Sequence, residues 1–171
     1  MNDLKLTGYF NNIKEIGLKT KVANFSYSIK NKDGIFNNIF IEVYFSKDLE
    51  IKKNTRYIIS GFLVGDIWID KKTGKERNNS KIRINSIKEL REKENYKNYF
   101  KIKGYVSNLK SISDKISIFR LSYPIKMKDN TIKYIYVDSL ISNELKIENK
   151  KNILLKVFLL VKFGMIKILI K

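Results

Sequence analysis

Apolar and polar residues alternate along much of this chain with a period of two, the spacing of a half-buried strand. Leu4–Phe10 is the first such segment. Within Lys21–Lys30, Ala23, Phe25, Tyr27 and Ile29 recur at every second position. Asp33-Gly34 marks a turn, and Ile35–Phe45 returns with aromatic and β-branched residues crowded together. Ser46–Asn54 is polar and basic, with room for no more than a turn or two of helix. Tyr57–Asp70 predicts a long strand in which Gly61 and Gly65 permit curvature or a bulge. Lys71-Lys72-Thr73-Gly74-Lys75-Glu76-Arg77 predicts a charged hairpin tip. Lys81–Ile87 then sets Ile82 and Ile84 on one face, Lys81 and Arg83 on the other.

After a polar stretch over Glu89–Asn98 the pattern begins again. Lys5-Leu6-Thr7-Gly8-Tyr9 resembles Lys101-Ile102-Lys103-Gly104-Tyr105. Lys21-Val22-Ala23-Asn24-Phe25 is matched to Lys115-Ile116-Ser117-Ile118-Phe119, and Phe40-Ile41-Glu42-Val43 to Tyr134-Ile135-Tyr136-Val137. Lys52-Lys53-Asn54 is matched to Lys150-Lys151-Asn152. The offset stays near 94–98 residues, the mark of an internal duplication. Each unit offers five strands, and five short strands bury one core best by curling into a barrel, which also removes free edges. The expected fold is all-β, two tandem five-stranded OB-fold-like barrels: 1–90, a linker at 91–98, and 99–171. In the second, Phe163-Gly164 leads directly into Met165–Lys171, so its final hairpin is short. Lys156, Lys162 and Lys167 interrupt Ile153–Ile170, which reads as strand, turn and strand, not as a membrane span.

Composition narrows the chemistry. With 35 basic against 17 acidic residues the chain carries +18, which favours a polyanionic partner and salt-sensitive binding. The competing explanation of the same excess is solubility alone, or the lysine and asparagine bias of an AT-rich genome. There is no histidine and no cysteine, so disulfides, thiolate or imidazole metal sites and His- or Cys-based catalysis are excluded. Asp66 and Asp70 share a strand face, but a metal nuclease needs more convergent acids. Asp70–Lys75 lacks the glycine spacing of a phosphate loop. No enzyme activity and no cofactor are expected.

The first unit resembles the bacterial single-stranded-DNA-binding protein family. Met1-Asn2-Asp3-Leu4-Lys5-Leu6-Thr7-Gly8 is similar to that family's first strand, Val22-Ala23-Asn24-Phe25-Ser26 to its second and Phe40-Ile41-Glu42-Val43 to its third. Lys53 and Asn54 precede a strand beginning at Arg56, with Gly61 where the family usually has a glycine. Trp68-Ile69-Asp70 and Lys71–Arg77 resemble its long hairpin. The resemblance covers about residues 1–90; residues 98–171 share it mainly through the first unit. It implies sequence-tolerant binding and protection of single-stranded DNA in the cytoplasm, in replication, recombination or mobile-element DNA transfer. The reduced helix, the two units per chain and the absence of the family's acidic C-terminal tail suggest a divergent member, carried by a plasmid, phage or other mobile element. A homodimer with four barrels is expected, with replication or transfer proteins as further partners and no membrane. RNA is a second candidate ligand. The alternative is an OB-fold protein-interaction accessory factor of a helicase, relaxase or replisome.

Strand-borne aromatics stack on unpaired bases while neighbouring cations meet phosphates, and neither needs sequence readout. Trp68 is the leading stacking candidate, with a core position as its competitor. Tyr44 reads as surface; Phe40 and Phe10 fit either side of the sheet. Tyr134 and Tyr136 share a face opposite Ile135 and Val137, suited to stacking or to an interface. Tyr105, Phe119 and Tyr123 are lesser candidates, and Tyr27 reads as core. The phosphate-binding candidates form three patches. Lys71, Lys72, Lys75, Arg77, Lys81 and Arg83 lie on the hairpin; Lys52, Lys53 and Arg56 precede it; Lys101, Lys103, Lys126, Lys128 and Lys133 belong to the second unit.

Overall fold

The computed structural model describes residues 2–30, 34–91, 98–127, 129–144, 147–149, 151–162 and 165–170. Ten strands follow one another: β1 (Asn2–Ile16), β2 (Thr20–Lys30), β3 (Phe36–Ser46), β4 (Arg56–Ile69), β5 (Glu76–Glu89), β6 (Tyr99–Ser113), β7 (Ile116–Lys126), β8 (Ile132–Ser142), β9 (Asn152–Lys162) and β10 (Met165–Ile170). The expected all-β class holds. In the first repeat the order β2-β3-β5-β4-β1 is closed by pairing of β1 with β2. In the second, β6-β7-β8-β10-β9 is closed by pairing of β6 with β9. Each is a five-stranded barrel in which β1–β2–β3 and β6–β7–β8 are antiparallel meanders, and the third strand meets the fifth in parallel. The chain between β3 and β4 makes turns and no helix.

Alternation decides the cores. Leu4, Leu6, Phe25, Val43, Phe45 and Ile59 fill the first barrel, and Phe100, Ile102, Phe119, Leu121 and Ile135 the second, all 1% exposed or less. Burying each side chain of this size contributes about 1.5–3 kcal/mol. Tyr27 is core, as its spacing indicated, and so are Phe119 and Tyr123, which removes those two from the stacking candidates. Burial pushes the Tyr27 and Tyr123 phenols well above their ordinary pKa.

Hydrogen-bond register corrects the matching of the repeats. Tyr9 pairs with Ser26 and Ser26 with Phe40; Tyr105 pairs with Ser122 and Ser122 with Tyr136. The offset is therefore 96 throughout the first three strands, and Phe40 corresponds to Tyr136, not to Tyr134. Phe25 likewise corresponds to Leu121. Lys52-Lys53-Asn54 moves too, because Asn152 stands where Arg56 does, opposite the equivalent tyrosine. A pattern of period two looks unchanged when slid by two residues, so alternation alone could not fix the match. A shared bulge supports the register: the pairing of β1 with β2 and of β6 with β7 slips after Asn11 and Ser107, where Asn12 and Asn108 adopt φ of 51° and 53°.

Contacts gather the chain into two compact units. One comprises Asp3–Leu63 and Ile82–Tyr99; the other comprises Met1–Asn2, Val64–Lys81 and Phe100–Lys171. The outer part of the β4–β5 hairpin thus packs with β6–β10. Residues 92–97 of the expected linker lie outside the described residues. Asn98, at its end, accepts from the Thr7 backbone N–H at 2.8 Å and donates to the Ser28 carbonyl at 3.3 Å.

Candidate nucleic-acid interface

The outward positions of the first barrel form a row running across four strands. Arg56 on β4 neighbours Tyr9 on β1, Tyr9 neighbours Ser26 on β2, and Ser26 neighbours Phe40 on β3. Tyr9 is 44% and Phe40 58% exposed, so two ring faces and a hydroxyl meet solvent beside a guanidinium. The Ser26 hydroxyl donates to the Tyr9 carbonyl at 3.4 Å and accepts from the Asn11 side-chain amide at 2.9 Å. Gly8 makes the row possible: a Cβ there would stand 1.9 Å from the Ser26 carbonyl oxygen.

The second barrel repeats the arrangement with Tyr105, Ser122 and Tyr136, the tyrosines 44% and 45% exposed. Ser122 donates to the Tyr105 carbonyl at 3.3 Å, and a Cβ on Gly104 would meet the Ser122 carbonyl oxygen at 2.5 Å. Beside this row Arg120 binds Asp138 through two hydrogen bonds, 2.7 and 3.1 Å, with its guanidinium carbon 6.0 Å from the Tyr136 ring centre. Asn24 and Glu42 stand at the corresponding points of the first barrel. Arg120 and Asp138 also line a shallow depression of about 280 Å³ with Asn108, Lys110, Ile118 and Phe119.

Phe40, Tyr134, Tyr136 and Trp68 therefore lie on the surface; Trp68 is 47% exposed and not a core residue. Tyr134 neighbours Pro124. Tyr44 is half-buried beside Arg83 and donates its hydroxyl to the Glu42 carboxylate. Phe10 is not brought to the aromatic row. Its ring, one residue out of phase with Tyr9, packs edge-on or tilted on Phe25, Phe45 and Tyr57 at 5.0–5.6 Å. Sequence reasoning passed over Tyr9, Arg120 and Asp138. The signal for Tyr9 was present: Gly8-Tyr9 and Gly104-Tyr105 are identical pairs at the repeat offset.

Several candidate cations are occupied by carboxylates. Lys52 pairs with Glu89 at 2.9 Å, Arg77 with Asp70 at 3.4 Å, Lys133 with Glu76 at 3.0 Å, and Lys81 with Asp66. Lys53, Lys71, Lys72, Lys75, Arg83, Lys103 and Lys126 are exposed, Lys101 is half-exposed, and Lys128 lies outside the described residues. The hairpin tip is a defined turn. Asp70 N–H donates to the Lys75 carbonyl, Gly74 N–H to the Asp70 carbonyl, and the Asp70 carboxylate accepts from the N–H groups of Lys72 and Thr73. Gly74 takes φ of 66°, a left-handed conformation suited to glycine. The Lys72 N–H, helped by Thr73 and Arg77 against partial desolvation, holds the Asp70 carboxyl below its ordinary pKa. Asp66 and Asp70 are each engaged by a cation, and among the described residues no three His, Cys, Asp or Glu side chains converge as a metal site. No helix among the described residues is long and apolar enough to cross a membrane.

No protein-family model matches the sequence, and no curated protein does. Solved structures do. The wild-type single-stranded DNA binding protein from Thermus aquaticus is similar with a TM-score of 0.65 at 11% identity, over 99% of this chain and 89% of that one. A deletion mutant of the same protein gives a TM-score of 0.64 at 13% identity, covering 99% and 90%. At this identity the likeness is one of fold, and it extends over both barrels.

Proposed function

We propose that this chain binds single-stranded DNA without sequence preference, laying unpaired bases on the aromatic rows of its two barrels. The observation that supports this best is the recurrence, 96 residues apart, of two exposed rings flanking a serine on the same strands of both barrels. Core packing would not place rings outward, and stacking on them accepts every base. Exposed lysines and the +18 charge supply a field for phosphates. The Thermus aquaticus neighbours, named as single-stranded DNA binding proteins, share the tandem fold. We take 1–90 and 99–171 as the two domains, protection of DNA during replication, recombination or mobile-element transfer as the role, and a pair of chains with four barrels as the assembly. Phe40, Tyr134, Tyr136 and Trp68 are the proposed stacking residues, with Tyr9 and Tyr105 added from the rows.

Competition among single-stranded DNA, RNA and duplex at fixed salt tests the reading. Tight, salt-sensitive binding of mixed-sequence single-stranded DNA with quenching of the Trp68 fluorescence is expected. Failure to bind any single strand at low salt would sink it. A mass corresponding to one chain at working concentration would remove the assembly.

A further inference from the structure

The last hairpin of the second repeat is short. The offset of this repeat from the first is 96 through the first four strands but 86 at the last, where Leu169 takes the place of Arg83; the β9–β10 hairpin, arms and turn together, is thus ten residues shorter than the β4–β5 hairpin. The first repeat's hairpin, residues 64–81, belongs to the same compact unit as β6–β10. Two contacts fix it there. Gly65 lies so close to β8 that a Cβ would come within 1.8 Å of Ile135 Cδ1, and Ile135 is fully buried. Further out, Glu76 binds Lys133 at 3.0 Å, the residue next to Tyr134 on the strand that also carries Tyr136. Trp68 lies between these two ties and Lys71, Lys72 and Lys75 lie beyond them; all four stay exposed, and among the described residues no carboxylate pairs with these three lysines. A structural tie alone would have no use for an exposed tryptophan and three open ammonium groups at its end.

We infer that this hairpin serves the β6–β10 barrel, supplying the length that the second repeat's own hairpin lacks, so that Trp68 and the Tyr134–Tyr136 face hold the same stretch of single-stranded nucleic acid. The inference rests on the binding reading above and deepens it by assigning the ligand of Trp68 to one barrel.

Trp68 is the only tryptophan, so its fluorescence reports this site alone. The test titrates the full chain with a mixed-sequence DNA of about eight nucleotides, within the ~4–16 that one OB-fold covers. Tyr134→Ala with Tyr136→Ala should move the midpoint of Trp68 quenching to at least about tenfold higher DNA, since each lost stack is worth ~1–3 kcal/mol. Tyr9→Ala with Phe40→Ala should leave that midpoint in place, while total binding by anisotropy falls. Quenching that follows Tyr9 and Phe40 instead, or both pairs equally, overturns the assignment while leaving the binding reading intact. Absence of binding in the unaltered chain overturns both.

Discussion

Phe40 and Tyr136 stand at the same point of the same hydrogen-bonded row in the two barrels, each paired across the sheet with a serine whose hydroxyl donates to a tyrosine carbonyl. Position is kept and ring chemistry is exchanged, phenylalanine for tyrosine, as a surface that needs only a flat π-face would allow.

Truncating either ring tests that equivalence. Phe40→Ala and Tyr136→Ala should each weaken single-stranded DNA binding by about 5- to 150-fold, corresponding to ~1–3 kcal/mol per stacked base. Phe40→Tyr and Tyr136→Phe should bind nearly as the parent does. Anisotropy titrations at one salt concentration provide the measurement, and undiminished binding by both alanine variants would remove the rows from the interface.

Most of the fold could be read from the sequence because alternation names strands and repetition names units. The Phe25–Tyr27 and Ile82–Ile84 pairs faced inward as their spacing required, and Tyr134 and Tyr136 faced outward opposite Ile135 and Val137. Register was not legible, since Phe40 fits Tyr134 and Tyr136 equally until Ser26 and Ser122 are seen as hydrogen-bonded neighbours. Phe10 and Tyr9 show the same difficulty at one residue's distance. Both are aromatic, and only the contacts with Phe25, Phe45 and Tyr57 tell which side Phe10 takes. Arg120 gave no signal, because its contacts with Asp138 and Tyr136 arise only through the β7–β8 pairing.

The glycines beneath the rows should not tolerate a methyl group. Gly8→Ala sets Cβ 1.9 Å from a backbone oxygen and Gly104→Ala sets it at 2.5 Å, so strand β2 or β7 must shift. A loss of about 1–3 kcal/mol is expected for each, as for other overpacking changes, with Gly8→Ala the worse. Gly17→Ala is the comparison: nothing lies within 4 Å, and only its φ of +64° opposes a side chain, at a cost of about 1–2 kcal/mol. Because Ser26 and Ser122 would move, DNA affinity should fall with Gly8→Ala and Gly104→Ala but not with Gly17→Ala. Thermal unfolding and anisotropy on the three variants measure both effects.

Open and occupied lysines should differ in their salt signature. Each phosphate contact on a single strand contributes about 0.7 to the slope of log affinity against log salt. Replacing Lys71, Lys72 and Lys75 together with alanine should therefore flatten the slope by about two. Lys133→Ala should change it less, because Glu76 already neutralises that ammonium. Equal slopes for the triple variant and the parent would exclude the hairpin tip from phosphate contact.

The hairpin tip should loosen in acid and binding should stay level near neutrality. Asp70 has its folded pKa below the ordinary 3.8, chiefly through the Lys72 N–H. A depressed carboxyl contributes its stabilisation above the ordinary value and loses it as pH falls through the folded pKa. The amide resonances of Lys72 and Thr73 should therefore titrate with a midpoint below 3.8, and Asp70→Asn should abolish that titration. A midpoint above the ordinary carboxyl value would show that the turn does not hold the carboxylate. Between pH 5 and 8 the Asp70 carboxylate stays ionised, and the chain has no histidine or cysteine to titrate. DNA affinity at constant salt should thus vary less than about twofold across that range, and a larger change would mean that a group with a displaced pKa meets the DNA.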